Sequence, residues 1–355
     1  MGTPRWFALI LVAALIGSTA MVVGGTSLRA TAMAGVAAQT TECAIEGYPT
    51  ENLQIMAPAA PGGGWDTTSR EMQTVLQTEV VDSTVEVFNV EGAGGTIGLA
   101  QLVNDEAGNE NVLMMMGLVM VGAIQLNQSD TTLEQTTPIA SLTTEWEVVV
   151  VPADSEFQTL QDLIDAFVAD PTAISWGGGS AGGTDHILVG LIAQAAGVDP
   201  TQVNYVPFSG GGEALAAILG GQVSAGVSGY GEWVQQIESG ELRALAISSD
   251  PADAATPVAG DATPTAAVSI PTLTEQGVDV VLANWRGVVA PPEISDEARN
   301  CLISVVEQMH DTRAWQDVLA KYGWEDYFTT GDDFTALIAE EQERATSVLQ
   351  ELGLV

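Results

Sequence analysis

The chain has 355 residues, of which 46% are hydrophobic, and its 46 Asp and Glu against nine Lys and Arg give a formal net charge of -37. This length and apolar content exclude a disordered chain and suffice for one large core or two ordinary ones. The scarcity of cations excludes nucleic acid as a partner, because a phosphate backbone requires clustered positive charge. The dispersed acids indicate a hydrated surface.

Residues 1–38 differ in kind from the rest of the chain. Arg5 precedes the apolar run Phe7–Gly17, and small-residue sites follow at "ATAMA" and "GVAA". A positive start, an apolar middle and an A-x-A site predict an export signal. Residues 7–25 are also nearly long enough to span a bilayer, so an uncleaved membrane anchor stays open. In both cases we expect the rest of the chain to lie in the periplasm or at the cell surface.

Beyond this segment, one local pattern occurs four times: an apolar strand, a glycine-rich loop and a segment with helical spacing. The copies are "LQIMAPA", "PGGG" and "WDTTSREMQTVLQ"; "TVEVFNV", "EGAGG" and "TIGLAQLVN"; "AISW", "GGGSAGG" and "TDHILVGLIAQAAG"; and "VNYVPF", "SGGG" and "EALAAILGG". Strands that alternate with helices predict an α/β fold with largely parallel sheets. Ligand sites in such folds lie beyond the carboxyl ends of the strands.

Two further segments are predicted to connect two lobes. "EWEVVVVPADS" at 145–155 contains a valine run typical of a strand buried on both faces, and "ELRALAISSD" at 241–250 closes the third and fourth units. If the chain passes from one lobe to the other at these two segments, one lobe comprises residues 145–249, and the other combines residues 43–144 with residues 250–355.

The C-terminal tail has the spacing of two amphipathic helices, with Ser295 and either Asp332 or Asp333 as N-caps. The first of these helices contains Cys301, and the other cysteine of the chain, Cys43, follows the export segment. An even pair in an oxidising compartment suggests one disulfide. Two unpaired buried thiols stay open as the alternative.

The first glycine loop, Gly62–Gly64, is not a Walker phosphate loop, because Trp65-Asp66 follow it in place of Gly-Lys-Ser/Thr. Its backbone N–H groups at a helix N-terminus still favour an anion. We expect Asp66 to cap the helix and to pair with Arg70. One such loop could be a simple turn, whereas four in one chain favour ligand contact.

The third loop, residues 177–183, fits one binding motif and one catalytic motif at once. The dinucleotide motif G-x-G-x-x-G requires an acidic residue at the end of the next strand, where Pro207-Phe208 stand instead. The motif G-x-S-x-G makes Ser180 a candidate nucleophile of an exported serine hydrolase. His186 is expected either to cap or pack a helix or to face a ligand. No cluster of His, Cys, Asp and Glu has metal-ligand spacing, so we expect no metal and no cofactor.

In this order, the segments resemble the substrate-binding proteins of the tripartite tricarboxylate transporter family, also called the Bug solute receptors. The resemblance covers nearly all of residues 47–355. It rests on "YPTENLQIMAPAAPGGGWDTTSR", "VEGAGGTIG", "ISWGGGSAGGTDH", "AAGVDPTQVNYVPFSGGGEALAAILGGQVSAGVSG", "GELRALAISS", "WRGVVAPPEIS" and the closing helix pair.

The resemblance implies a two-lobed, type II periplasmic-binding-protein fold that closes on a small carboxylate, held by main-chain N–H groups, hydroxyls and waters. We expect a non-enzymatic monomer that delivers a di- or tricarboxylate to the integral membrane subunits of such a transporter. Carried over by position, the ligand-binding residues are Pro61, Gly62, Gly63, Gly64 and Asp66; Gly94, Gly95 and Thr96; Ser180, Gly182, Gly183, Thr184 and His186; and Ser209 and Gly210.

Three features depart from the family pattern. Trp65 stands where many relatives have a small or hydroxylated residue, and we include it in the site. "SGYGEW" at 228–233 replaces an Asp-Asn type segment, so Tyr230 is also included and Glu232 is expected to alter specificity. The Ala/Pro/Thr/Asp-rich loop at 250–267 is longer than usual. These departures concern the identity of the ligand more than the fold.

Overall fold

The computed structural model describes residues 43–250 and 270–355, so the predicted export segment and nearly all of the 250–267 loop lie outside the described residues. The described residues form ten strands. These are β1 (Leu53–Ala57), β2 (Val85–Asn89), β3 (Val112–Gly117), β4 (Thr137–Pro152), β5 (Ser175–Gly178), β6 (Asn204–Pro207), β7 (Ala225–Gly229), β8 (Leu242–Ile247), β9 (Ala283–Ala290) and β10 (Glu325–Asp326).

Ten α-helices alternate with these strands in the described part of the chain. They are α1 (Gly64–Val75), α2 (Thr96–Asp105), α3 (Leu118–Leu126), α4 (Leu160–Ala169), α5 (Thr184–Ala195), α6 (Gly211–Leu219), α7 (Tyr230–Glu238), α8 (Asp296–His310), α9 (Arg313–Tyr322) and α10 (Gly331–Glu351). The four predicted strand, loop and helix units are confirmed as β1 to α1, β2 to α2, β5 to α5 and β6 to α6.

The strand β4 connects two mixed sheets. Neighbouring strands follow the order β2-β1-β3-β9-β4-β7-β5-β6, and β8 and β10 also pair with β4. The part of β4 up to Trp146 pairs with β9, whereas the part from Glu147 onward pairs with β7 and β8. The α/β class with two mixed sheets flanked by helices is thus confirmed. The sheets are not largely parallel as predicted, because β4 pairs antiparallel with β7, β8, β9 and β10, and β3 pairs antiparallel with β9. The parallel pairs among the ten strands join β1 to β2 and β3, and β5 to β6 and β7.

The second connection follows β8 and is held against β4. Ser248 donates its backbone N–H to the carbonyl of Glu147 and accepts one from Leu282. Its hydroxyl accepts from the Glu147 N–H and donates to the Leu282 carbonyl. The two connections between the sheets therefore lie side by side and are tied together by one buried serine.

The C-terminal tail corrects two sequence predictions. Ser295 caps α8 as predicted, through a bond from the Ala298 N–H, but the pattern taken as one helix is two, because Thr312 caps α9. The N-cap of α10 is Thr330, so Asp332 and Asp333 lie in the first helical turn. Acids are favoured there by the helix dipole as well as at the cap, which is why the sequence placed the cap two or three residues too late.

Cys43 and Cys301 form a disulfide that closes a separation of 258 residues. A crosslink over so long a loop restricts the unfolded chain. We expect the Cys43→Ser/Cys301→Ser double variant to lower the free energy of unfolding by about 2–5 kcal/mol. Urea denaturation measures this, and reductant should lower the stability of the wild type to the same value. Equal stability of oxidised wild type and double variant would contradict the prediction.

Candidate functional site

The four glycine loops meet around one cavity of about 260 Å³. Each lies where a strand ends and a helix begins, so the topology brings all four to the same place. The lining residues from these loops are Gly63, Gly64 and Trp65; Gly92, Ala93 and Gly94; Gly179, Ser180 and Ala181; and Pro207, Phe208, Ser209, Gly210 and Gly211.

The predicted site residues divide into two sets. Those that line the cavity are Gly63, Gly64, Trp65, Gly94, Ser180, Ser209 and Gly210. Those that lie outside its lining are Pro61, Gly62, Asp66, Gly95, Thr96, Gly182, Gly183, Thr184, His186 and Tyr230. Most of the second set shape the loops: Gly62, Gly95 and Gly182, for example, have positive φ angles, a conformation that glycine adopts at little cost.

Three of the loops are closed by an acid from the helix that follows. The loop N–H groups of Gly62, Gly179 and Ser209 donate to Asp66 (2.8 Å), Asp185 (2.7 Å) and Glu213 (3.1 Å), respectively. Asp66 also pairs with Arg70, as predicted, but the N-cap of α1 is Gly63. These N–H groups are therefore occupied by the protein itself, which leaves fewer main-chain donors for a ligand than the loops alone suggest.

The cavity contains a cation, Arg286 on β9, that the sequence analysis missed. Its side chain is 2% exposed, and its Nη2 pairs with Glu145 of β4. Trp324 donates its indole N–H to the other oxygen of Glu145 (3.1 Å), and its ring lies 5.3 Å from the guanidinium carbon. The Nη1 group has no hydrogen-bond partner among the described residues. Arg286 is thus a fixed cation with donor capacity left for a ligand.

Three buried acids surround this cation. Glu232 of α7 lies 3.9 Å from Arg286 Nη2, and burial raises its pKa to about 8. Burial also raises the pKa of Asp185 to about 6, although the Gly179 N–H opposes the shift. Glu147 is fully buried with both carboxylate oxygens unpartnered, and its pKa lies well above the usual range. Near neutral pH Glu232 therefore retains a proton, because one arginine cannot compensate four carboxylates in a desolvated site.

Gly64 and Gly211 leave room for these charged side chains. A Cβ at Gly64 would overlap with Arg286 Nη2, and a Cβ at Gly211 would overlap with Glu232 Oε2 and lie 2.7 Å from Ser228 Oγ. Neither glycine has a positive φ angle, so close approach rather than backbone conformation requires them. The first and fourth loops thus have glycine at the positions where the side chains of Arg286 and Glu232 approach the backbone.

Gly64→Ala is expected to lower the free energy of unfolding by about 1–3 kcal/mol, because the added methyl group displaces Arg286, which Glu145 holds in place. Gly212→Ala is the matched control at the start of α6: its Cβ would lie 3.8 Å from the Gly62 carbonyl, an ordinary contact. We expect this control to be neutral or slightly stabilising. Thermal denaturation compares the two variants, and equal effects would contradict the close-approach argument.

The histidines give no support to a Ser180 nucleophile. His186 accepts the Gly182 N–H on Nδ1 and stacks on Tyr205 at 4.2 Å, and burial lowers its pKa to about 4. His310 lies outside the cavity, stacked on Phe328. Ser180 makes no hydrogen bond to either histidine of the described chain. Neither histidine of the described residues is therefore placed to activate the Ser180 hydroxyl, which lines the cavity.

Among the described residues, no helix combines the length and apolar character needed to cross a membrane. Residues 43–250 and 270–355 also contain no group of three His, Cys, Asp or Glu side chains placed to hold a metal ion. The charged and polar side chains that line the cavity are those of Arg286, Asp185, Glu232, Asn127, Asn284, Ser180, Ser209 and Ser228.

Comparisons with known proteins include two sequence matches. The family model "Tripartite tricarboxylate transporter family receptor" matches residues 69–354. Protein BugT of Bordetella pertussis is 27% identical over 330 residues, which cover 91% of this chain and 94% of that protein.

Two solved structures share the fold. MatC from Rhodopseudomonas palustris, with bound malate, has a TM-score of 0.72 at 23% identity over 85% of this chain and all of that one (100%). An R. palustris protein with adipate has a TM-score of 0.76 at 21% identity, covering 86% of this chain and 98% of that one. These likenesses confirm the predicted two-lobed fold of Bug-type periplasmic binding proteins.

Proposed function

Because the chain belongs to the family of tripartite tricarboxylate transporter receptors, we propose that it is an extracytoplasmic receptor that captures a small organic carboxylate in the cavity between its glycine loops. The observation that carries this proposal is Arg286: a buried cation in that cavity with an unpartnered Nη1. The malate and adipate bound by the two neighbours support this chemical class.

In this proposal Arg286 binds one ligand carboxylate, and smaller donors orient the ligand. Ser180, Ser209 and the Asn284 amide line the same cavity. The Asn284 Oδ1 accepts a hydrogen bond from Thr184, which leaves its NH₂ group available as a donor. The ring of Trp65 forms an apolar wall. A fixed cation with a few oriented polar groups in an otherwise apolar cavity is typical of a small-molecule site.

We further propose that the cavity opens and closes between two lobes, residues 145–249 and residues 43–144 with 250–355. The change of partner along β4 after Trp146 supports this boundary. The first and fourth loops face each other from opposite lobes: a Cβ at Gly63 would lie 3.8 Å from the Gly210 Cα. A ligand that contacts both lobes would favour the closed arrangement by its differential affinity.

We also propose that the receptor delivers its ligand, from the periplasm, to the membrane subunits of a tripartite tricarboxylate-type transporter. This part of the proposal is supported by family membership. The function is non-enzymatic in this proposal. It is supported by the receptor character of the family and by the absence of a hydrogen bond from Ser180 to either histidine of the described residues.

A thermal-shift screen against mono-, di- and tricarboxylates tests the receptor function. A ligand that binds the folded state raises the melting temperature as its concentration rises. We expect at least one small carboxylate to do so in the wild type, and Ser180→Ala to retain most of that response. No shift with any carboxylate would overturn the proposal, as would ester hydrolysis that Ser180→Ala abolishes.

A further inference from the structure

Resting on the proposed receptor function, we propose that Glu232 selects ligands that carry a hydrogen-bond donor beside the carboxylate bound by Arg286, with an ammonium group preferred over a hydroxyl. Glu232 is then a specificity-determining residue, and the ligand class is a small amino- or hydroxy-substituted carboxylate.

The structure places the carboxylate of Glu232 beside the guanidinium group of Arg286 in one cavity. Glu232 Oε1 lies 3.9 Å from Arg286 Nη2, and both residues line the cavity. A Cβ at Gly64 would lie 2.8 Å from Glu232 Oε1, so the carboxylate of Glu232 also approaches the first loop. A ligand whose carboxylate is bound by Arg286 would therefore hold the substituent on its next carbon close to the Glu232 carboxylate.

Two buried atoms in this pair are unpartnered within the described chain: Arg286 Nη1, a donor, and Glu232 Oε2, an acceptor. Arg286 is 2% exposed and the Glu232 side chain 15%, and the two unpartnered atoms are themselves buried. Buried polar atoms without partners are costly and are usually satisfied when the site is occupied. A carboxylate would satisfy Nη1, and an N–H or O–H donor on the next carbon would satisfy Oε2.

The charge balance of the cavity favours a cationic donor. The charge of Arg286 is already matched by Glu145, while Glu232 and Asp185 also line the cavity. An unsubstituted dicarboxylate adds negative charge beside these acids and leaves Oε2 without a donor. An ammonium group favours the ionised form of Glu232 and compensates its charge, whereas a hydroxyl supplies the hydrogen bond without the charge.

The glycine at position 211 supports a dedicated role for Glu232. A Cβ there would overlap with Glu232 Oε2, so the fourth loop is shaped to admit this oxygen. Trp233, the next residue in α7, donates its indole N–H to the Gly211 carbonyl at 3.0 Å and fixes the helix against the loop. The position of Glu232 is therefore set by its surroundings.

Three four-carbon acids that differ in one substituent test the inference. We would titrate aspartate, malate and succinate into the wild type and Glu232→Gln by calorimetry at pH 8.5, above the pKa of Glu232 of about 8. We expect the wild type to bind aspartate most tightly and succinate at least tenfold more weakly. In Glu232→Gln we expect aspartate affinity to fall at least tenfold while succinate affinity stays equal or rises. Glu238→Gln, an exposed site on the same helix, is the matched control and should leave the order unchanged.

The outcomes separate the inference from the receptor function. Wild-type affinities for the three acids within twofold of one another, or an unchanged preference in Glu232→Gln, would overturn the role of Glu232 and leave the receptor function standing. The wild-type ranking does not depend on the variant, so a poorly folded Glu232→Gln does not remove the test. If no carboxylate of the wider screen binds, both proposals are overturned.

Discussion

Replacing Arg286 by glutamine is expected to abolish carboxylate binding and to lower the free energy of unfolding by about 3–5 kcal/mol. Binding is lost because the buried cation of the cavity is removed. Stability is lost because Glu145, 1% exposed and paired with Arg286, is left as an uncompensated buried charge. Urea denaturation and calorimetric titration with the tightest-binding acid of the screen measure the two effects.

The double variant Arg286→Gln/Glu145→Gln separates the two effects. Removing both charges of a buried pair is far less destabilising than removing one. We therefore expect the double variant to regain most of the lost stability while carboxylate binding stays absent. If the double variant binds like the wild type, Arg286 does not hold the ligand.

The free energy of unfolding is expected to fall as the pH rises from 6.5 to about 8. The pKa of Glu232 is about 8 in the folded protein and 4.5 in the unfolded chain, so the folded state binds more protons in this range. Stability then decreases with pH, by at most about 1.4 kcal/mol per pH unit for one proton. Glu147, with its raised pKa, acts in the same direction.

Other groups with shifted pKa values act mainly outside this range, and the tyrosines with raised pKa values act above it. His186, with its pKa lowered to about 4, raises stability as the pH climbs towards 6.5, and Asp66 and Glu71 lose stabilising charge only at acidic pH. The difference between wild type and Glu232→Gln isolates the effect. Denaturation at pH 6.5, 7.25 and 8 should give a flatter profile for the variant, and parallel profiles would contradict the assignment.

The local part of the fold could be predicted from the sequence. Each strand, glycine loop and helix unit lies within about 25 residues, so its apolar spacing and turn residues are visible directly. The boundaries were less accurate. The amphipathic pattern runs on through Asp311 and Thr312, and only the cap formed by the Thr312 side chain ends one helix and begins another.

The charged centre of the cavity could not be predicted from local patterns, because its members come from distant segments. Arg286 on β9 pairs with Glu145 on β4 across 141 residues of sequence, and Glu232 approaches Arg286 from helix α7. Two local patterns in the sequence indicated this charged centre. Arg286 lies inside the apolar run "NWRGVVA" of a chain with nine cations, and Glu145 and Glu147 are two residues apart and so lie on one face of β4. An arginine in a buried strand requires an acid nearby.

The acids that accept hydrogen bonds from three of the loops explain why only some of the predicted ligand-binding residues line the cavity. Four glycine loops suggested four sets of free main-chain donors, yet Asp66, Asp185 and Glu213 accept hydrogen bonds from three of them. A sequence shows an acid at the start of a helix, but it does not show whether that acid bonds back to the loop or faces a ligand. That choice depends on packing between segments.

A crystal structure of the protein with the tightest-binding of the four-carbon acids tests the central claim most directly. We expect the ligand between the first and fourth glycine loops, with one carboxylate oxygen within hydrogen-bond distance of Arg286 Nη1. A ligand bound elsewhere, or bound in the cavity with its carboxylates directed away from Arg286, would contradict the account.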